Sequence, residues 1–178
     1  MDKNTFIEIN VLKTKYKIEN LFEYLKKYSN KKIAVIFRNT ESAEIIYNKA
    51  IKFNFSVSYN KKDEVIFCDY KFFKSNKLKI DIVIDYNIPE SMDIIIEHIK
   101  KIKSKGKYFI LYSNRDIVKI RHYNYENYEK SVYRNNMEKL GEVLWFIYNG
   151  ECLLHQIKKY INIEGSTKCL KCSSCKVQ

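Results

Sequence analysis

Four cysteines in the C-terminal part of the chain have the spacing of a metal site. Cys152 precedes a tight group formed by Cys169, Cys172 and Cys175, in the pattern Cys-x16-Cys-x2-Cys-x2-Cys. A gap of two residues lets the sulfur atoms of a tight turn face one point, and four thiolates form the closed tetrahedral site of a structural zinc. The spacing therefore predicts a structural Zn²⁺ that connects the start of a helix at Cys152 to a C-terminal knuckle.

The sequence also permits other interpretations of these cysteines. The thiols could stay without a metal, or they could form disulfides, although nothing in the sequence indicates secretion. His155 could replace one sulfur as a ligand, but a surface histidine on the helix that begins near Cys152 is the simpler interpretation. The net negative charge of a four-thiolate zinc site would be offset by the neighbouring lysines Lys168, Lys171 and Lys176. The remaining cysteine, Cys68, lies in the apolar run VIFC and is predicted to be buried in a strand.

The charge balance of the chain points to a polyanionic partner. The 178 residues include 33 basic and 21 acidic side chains, a formal net charge of +12, which suits nucleic acid. A bias in composition is the alternative, because only four of the basic residues are arginine. Hydrophobic residues make up 46% of the chain, enough for a globular core, and no apolar run is long enough to span a membrane. Without a signal-peptide pattern, the chain is predicted to be intracellular, in the cytoplasm and nucleoid or in a nucleus.

The elements that must position these residues are visible as apolar runs separated by amphipathic segments. The run IAVIF at residues 33–37 is apolar throughout, as in a parallel strand covered on both faces. Further strands are predicted at residues 55–59, 65–68, 80–86 and 108–112, and helices at 18–28, 43–50 and 91–105. Thr40 or Ser42 is expected to cap the second helix, and Gly106 to end the third. This alternation predicts an α/β domain with a mainly parallel sheet.

The pattern becomes helical after residue 113, and it ends in the cysteine group. A long helical segment runs over about residues 127–148, with Gly141 inside it. We therefore divide the chain into a lead-in at residues 1–17, with a short strand or helix, an α/β lobe at 18–113, and a helical linker with the four-cysteine subdomain at 114–178.

This order of parts resembles the second RecA-like lobe and zinc subdomain of the RecQ-family ATP-dependent DNA helicases. The stretch KIAVIFRNTESAE resembles helicase motif four, and IDIVIDYNIPESMDIIIEHI resembles the approach to motif six. The stretch KYFILYSNRDIVKIRHY resembles the last strand and linker helix, and NNMEKLGEVLWFIYNGECLLHQIKKYI resembles the helices around the first zinc cysteine. The resemblance implies an α/β RecA-like lobe followed by a helical zinc-binding subdomain, with roles in DNA recombination and repair.

The chain departs from the family where ATP chemistry is concerned. It has no Gly-Lys-Ser/Thr phosphate-binding loop and no Asp-Glu-x-His motif. The Gly-Arg-x-Gly-Arg core of motif six is matched by HIKKIKSKG, and lysine lacks the planar fork of an arginine finger. The expectation is a nucleic-acid-binding module that is not an active helicase by itself. The alternative is an interaction subunit, or one half of a divided helicase, that works with a separate ATPase lobe.

The basic residues predicted to contact single-stranded or overhang DNA fall in four groups. They are Lys100, Lys101, Lys103, Lys105, Arg115, Arg121, Lys158, Lys159 and Lys171. The simpler interpretation of Lys100 to Lys105 is a solvated helix end, where lysines favour the helix dipole.

Independent catalysis is not predicted. The three histidines, His98, His122 and His155, are scattered along the sequence. Asp81 and Asp85 share one strand face, but they are expected to be solvated or capping groups at a strand end.

Overall fold

The fold is built on a parallel sheet with helices on both faces. The computed structural model describes residues 7–59, 64–163 and 168–176; the first six residues of the predicted lead-in and the polar stretch 60–63 lie outside this range. In the described residues, five strands pair in the order β1-β5-β4-β2-β3, and each pairing is parallel. The strands are β1 (Glu8–Lys13), β2 (Ile33–Phe37), β3 (Val65–Asp69), β4 (Ile80–Asp85) and β5 (Ile102–Tyr112). The predicted α/β class and parallel sheet are confirmed.

The helices connect the strands and then form a C-terminal group. They are α1 (Lys17–Lys27), α2 (Thr40–Lys52), α3 (Tyr70–Ser75), α4 (Met92–Lys100), α5 (Asn114–Asn127), α6 (Lys130–Tyr148), α7 (Leu153–Tyr160) and α8 (Ser173–Lys176). Parallel crossovers are right-handed, so connections that run in opposite directions along the sheet place their helices on opposite faces. Within the described residues, none of these helices has both the length and the apolar composition that a membrane crossing requires.

Two hydrophobic clusters cover the two faces of the sheet. One cluster joins α1 and α2 to the sheet through buried residues such as Leu21 and Ile46. The other joins α3 and α4 to the sheet, and it continues without a break through Phe146 of α6 and Ile157 of α7 to Cys172. The cysteine group therefore shares a core with the α/β lobe.

Three predictions about the secondary structure are wrong. Residues 55–59 do not form a strand, because only Ser58 bridges to Ile66 of β3. The third predicted helix ends at Lys100, and Gly106 lies inside β5 instead of capping that helix. A Cβ at Gly106 would collide with Ile102 and with the backbone of the neighbouring strand, so glycine is required there by close packing.

The third wrong prediction concerns the start of α2. Its N-cap is Asn39, whose side-chain oxygen accepts a hydrogen bond from the Ser42 amide at 2.9 Å. Neither Thr40 nor Ser42 has this role, because both already lie inside the first turn of the helix.

Gly141 lies inside the unbroken helix α6, where a Cβ would meet nothing within 4 Å. We expect Gly141→Ala to raise the free energy of unfolding by about 0.5–1 kcal/mol, because alanine loses less backbone entropy in a helix. Urea unfolding followed by circular dichroism measures this change. A destabilised variant would show that the site is more crowded than the structure indicates.

Candidate metal centre and carboxyl-edge groove

The four predicted cysteines come together in one cluster. The sulfur atoms of Cys152, Cys169, Cys172 and Cys175 all lie within 4.8 Å of one another, and Cys152 Sγ is 3.9 Å from Cys172 Sγ. A tetrahedral zinc with Zn–S bonds of about 2.3 Å separates its sulfur ligands by about 3.8 Å. The donor set and its spacing thus fit a metal ion, with Cys152 at the N-cap of α7 as predicted.

The backbone around the cluster is arranged to support thiolates. The Cys169 amide donates to Cys152 Sγ at 3.2 Å, and the Cys172 amide donates to Cys169 Sγ at 3.3 Å. Burial raises the pKa of the metal-free Cys172 thiol to about 12, whereas a coordinated thiol is deprotonated by the ion itself. Binding of a divalent ion would therefore release protons from this cluster.

His155 and Cys68 are not part of the four-sulfur cluster. His155 lies beside the cluster on the first turn of α7, but it is not among the converging ligand atoms, and its Nδ1 is a buried atom without a hydrogen-bond partner in the described residues. Cys68 is a buried residue of β3, only 4% exposed, as its apolar context predicted.

The cysteine knuckle, which comprises residues 169–176 and includes α8, is attached to the first strand of the sheet. The Val11 amide of β1 donates to Ser173 Oγ at 3.1 Å. At the start of β1, Glu8 Oε1 accepts from Lys176 Nζ at 2.7 Å, and Glu8 Oε2 accepts from Lys107 of β5. Glu8 thus connects two strands and the knuckle through a single carboxylate.

The Glu8 contacts predict a specific loss of stability in acid. Burial would raise the pKa of Glu8, but hydrogen bonds from Lys107 and Lys176 outweigh it and lower the pKa from 4.5 to about 2. The stability that Glu8 contributes is thus present above pH 4.5 and is lost as the pH falls toward 2. We expect Glu8→Gln to be less stable than the natural chain at pH 7, with the difference shrinking toward pH 2. Urea unfolding at several pH values measures it, and a constant difference would contradict the assignment.

A groove lies at the carboxyl ends of the parallel strands. The chain leaves β2 through α2 toward one edge of the sheet and leaves β4 through α4 toward the other edge, although β2 and β4 are neighbours. Ligands of open parallel sheets bind at such a switch point, outside the carboxyl ends of the strands. The groove here has a volume of about 640 Å³.

Basic and aromatic side chains line this carboxyl-edge groove. The basic ones are Arg38, Lys71 and Lys119, and the tyrosines are Tyr70, Tyr123 and Tyr128. The Arg38 guanidinium lies 5.1 Å from the centre of the Tyr123 ring and pairs with Glu90 at 2.9 Å. The other acid of the groove, Asp116, is held by Lys17 at 2.9 Å. Sequence reasoning missed these basic and aromatic residues, because they follow three different strands, β2, β3 and β5.

A buried polar cluster lies next to the groove, under α4. His98 Nδ1 is 2.9 Å from Asp85 Oδ1, and the Tyr108 hydroxyl donates to Asp85 Oδ2. Burial, followed by the charge of Asp85, raises the pKa of Tyr108 far above its usual value, so the hydroxyl remains a donor. The expectation that Asp85 is solvated or capping is wrong, since Asp85 is only 3% exposed. The one signal in the sequence was a histidine on the apolar stripe of α4.

The predicted nucleic-acid residues are divided between opposite edges of the sheet. Lys100 to Lys105 lie near the amino ends of the strands, where Lys105 and Lys171 line a hollow with Glu8. Lys103 pairs with Asp81 at 3.0 Å, and Lys101 donates to three carbonyls at the end of α3.

The remaining members of the set lie on the C-terminal helices. Arg115 and Arg121 lie on α5, which begins at the carboxyl edge, and Lys158 and Lys159 lie in the last turn of α7. Arg115, Arg121 and Lys159 are exposed.

The parallel sheet, its strand order and the flanking helices define a RecA-like α/β fold, which is similar to that of solved DEAD-box proteins. One similar structure is a DEAD box protein from the hyperthermophile Methanococcus jannaschii, with a TM-score of 0.53, 14% identity, and coverage of 67% of this chain and 39% of that one. Another is the E. coli DEAD-box protein SrmB bound to the regulator of ribonuclease activity A, with a TM-score of 0.51, 12% identity, and coverage of 72% and 89%.

A helicase domain of Pyrococcus furiosus Hef is a third neighbour, with a TM-score of 0.45 and 20% identity over 58% of this chain and 26% of that one. This chain spans only 39% of the length of the Methanococcus jannaschii protein. Comparisons with protein-family models and with curated proteins find no match.

Proposed function

We propose that this chain is a RecQ-like nucleic-acid-binding module with a structural zinc, and that it does not act as a helicase by itself. The observation that carries the proposal is the carboxyl-edge groove, because it combines cations with aromatic rings at the switch point of a RecA-like sheet. Cations neutralise phosphates, and exposed rings stack on bases without sequence preference. The RecQ assignment draws its support from the cysteine spacing and the stretches that resemble the family.

The groove is a better candidate for the phosphate track than the lysines at the amino edge. Lys101 and Lys103 already make contacts within the protein that a phosphate would have to replace. In the groove Arg38 is likewise paired, with Glu90, whereas Lys71 and Lys119 are exposed. The groove also offers the first turn of α2, with its amides and positive dipole end, next to Arg38. Arg115 and Arg121 extend the basic surface along α5 from the same edge of the sheet.

In this proposal the zinc has a structural role. Four thiolates fill a tetrahedral ion, so no position remains at which a water could be activated. Cys152, Cys169, Cys172 and Cys175 would hold Zn²⁺ and fix the start of α7 relative to the knuckle. The division into a lead-in at 1–17, a lobe at 18–113 and a zinc subdomain at 114–178 stays part of the proposal.

The second candidate is an interaction subunit or one half of a divided helicase, with a separate ATPase lobe as its partner. It is favoured by the lysines that stand where the family has the arginines of motif six, since lysine is a poor arginine finger. A role in DNA recombination or repair within the cell would follow from either form of the proposal.

Fluorescence anisotropy of a labelled duplex with a single-stranded overhang tests the proposal. We expect affinity to fall steeply with salt, because binding releases counterions from the phosphates. The three substitutions Arg38→Gln, Lys71→Gln and Lys119→Gln, combined, should weaken binding and reduce the salt slope by about 0.7–0.9 for each phosphate contact removed. Binding that is unmeasurable at low salt in folded, zinc-loaded protein would overturn the proposal.

A matched variant distinguishes the two edges of the sheet. The combination of Lys100→Gln, Lys103→Gln and Lys105→Gln removes an equal number of positive charges, three, from the amino edge. We expect it to weaken binding less than the groove variant. If the amino-edge variant weakens binding more than the groove variant does, the nucleic-acid interface lies at the amino edge.

A further inference from the structure

An aromatic groove lies on the helical face of the molecule, separate from the carboxyl-edge groove. It has a volume of about 430 Å³ and lies among α4, α6 and α7. Its lining includes Met92, Gly141, Trp145, Phe146, Gln156 and Tyr160. We call this feature the aromatic groove.

The aromatic groove exposes rings that would normally be covered. Trp145 is 61% exposed and Tyr160 is 46% exposed, whereas Phe146 and Met92 are buried beneath them. Gly141 leaves open space beside them, because its missing Cβ would meet nothing within 4 Å. Tryptophan and tyrosine on a concave, partly apolar surface are typical of the central residues of protein interfaces.

The charge at the aromatic groove is opposite to that of the chain as a whole. Glu142 lines the groove and is exposed, and Asp93 is exposed next to Met92. Both carboxylates act on Tyr160: burial raises the pKa of its hydroxyl, and Asp93 and Glu142 raise it further. Lys158 and Lys159 precede Tyr160 on α7 and, like Asp93, lie outside the lining. Among the described residues, the charged side chain of the lining is Glu142, an acid in a chain of net charge +12.

We propose that the aromatic groove binds an arginine or lysine side chain presented by a protein partner. The apolar stem of such a side chain fits against Met92 and Phe146, and its cation can lie against the face of Trp145 and pair with Glu142. Cations bind the faces of tryptophan and tyrosine, and a nearby carboxylate strengthens the attraction. The same carboxylates repel phosphates, so this surface differs in its partner from the carboxyl-edge groove.

Trp145 is the only tryptophan of the chain, so its fluorescence reports directly on the aromatic groove. The probe is a twelve-residue leucine-rich peptide with one central arginine, compared with the same peptide carrying neutral citrulline. We expect a saturable change of Trp145 emission with the arginine peptide, and an affinity about two- to fivefold lower with citrulline.

Two isosteric variants locate the binding. Glu142→Gln removes a carboxylate of the aromatic groove, and we expect it to lower the affinity for the arginine peptide by a similar factor. Glu23→Gln removes one from α1, which packs on the opposite face of the sheet, and should leave the affinity unchanged. Circular dichroism confirms that both variants are folded.

Three results would overturn the proposal. Equal affinities for the arginine and citrulline peptides would make the surface a purely apolar groove. Quenching of Trp145 by an oligonucleotide, strengthened in Glu142→Gln, would make it a nucleic-acid surface. Emission that depends on protein concentration in the absence of peptide, together with dimers in sedimentation, would make a second copy of this chain the occupant.

Discussion

In the proposed zinc site, Cys172→Ser is expected to remove the metal ion and to destabilise the protein severely. Cys172 is fully buried, and it belongs to the hydrophobic cluster that joins the knuckle to the sheet. Structural zinc contributes about 10–16 kcal/mol of apparent binding free energy in zinc-finger peptides, which is comparable to the entire stability of about 5–15 kcal/mol of a typical domain. Even a loss of about 3 kcal/mol would lower the midpoint of thermal unfolding by about 10 °C in a chain of this size.

The measurements are the zinc content per chain, by mass spectrometry of the metal, and the midpoint of thermal unfolding. Cys68→Ser is the matched control, because Cys68 is also buried but lies in β3, away from the cluster. We expect the Cys68→Ser control to keep the zinc content of the natural chain. Its free energy of unfolding should fall by only about 1–3 kcal/mol, because the serine hydroxyl is buried. Equal zinc contents in the natural chain and in Cys172→Ser would contradict the proposed metal centre.

Asp85→Ala is expected to lower the free energy of unfolding by about 3–5 kcal/mol, because it leaves two buried donors without an acceptor. These donors are the Tyr108 hydroxyl and His98 Nδ1, which both contact the Asp85 carboxylate. Each is less than 3% exposed, so water cannot replace the lost partner without opening the core. Urea unfolding at neutral pH measures the change.

Asp81→Ala provides the comparison on the same strand. Asp81 accepts from the Lys32 amide at 2.9 Å and pairs with Lys103, but its side chain is 28% exposed. We expect Asp81→Ala to lower the free energy of unfolding by about 1 kcal/mol, since water can hydrogen-bond to the groups left behind. Replacing the buried cluster as a whole, with Asp85→Val, His98→Leu and Tyr108→Phe, should cost less than Asp85→Ala alone. A larger cost for the triple variant would show that the cluster itself stabilises the fold.

The parallel sheet was predictable wherever a strand is buried on both faces. The run IAVIF of β2 is such a strand, and it is buried at every position. Strand β1 lacks this signal, because it lies at the edge of the sheet and most of its side chains are partly exposed. The first half of β5 was predicted as helix, since Lys103 to Lys105 extend beyond the core and have no apolar pattern.

The two candidate sites differ in how far sequence determines them. The cysteine cluster was predictable, because ligand spacing in a turn fixes the positions of sulfur atoms locally. The carboxyl-edge groove was not, because the sequence does not state which strands become neighbours. Asp85 and His98 meet only after α4 folds back across the sheet.

The attachment of the knuckle to β1 has a consequence for the behaviour of the protein in solution. An edge strand with unpaired amide and carbonyl groups is a template for pairing with another chain. Ser173 accepts the outward Val11 amide of β1, and at the far edge Ser58 bridges β3. Removal of the proposed metal ion by a chelator would therefore uncover a strand edge, and we expect turbidity and chain-to-chain β-pairing under chelation. The metal ion would then also protect the protein against aggregation.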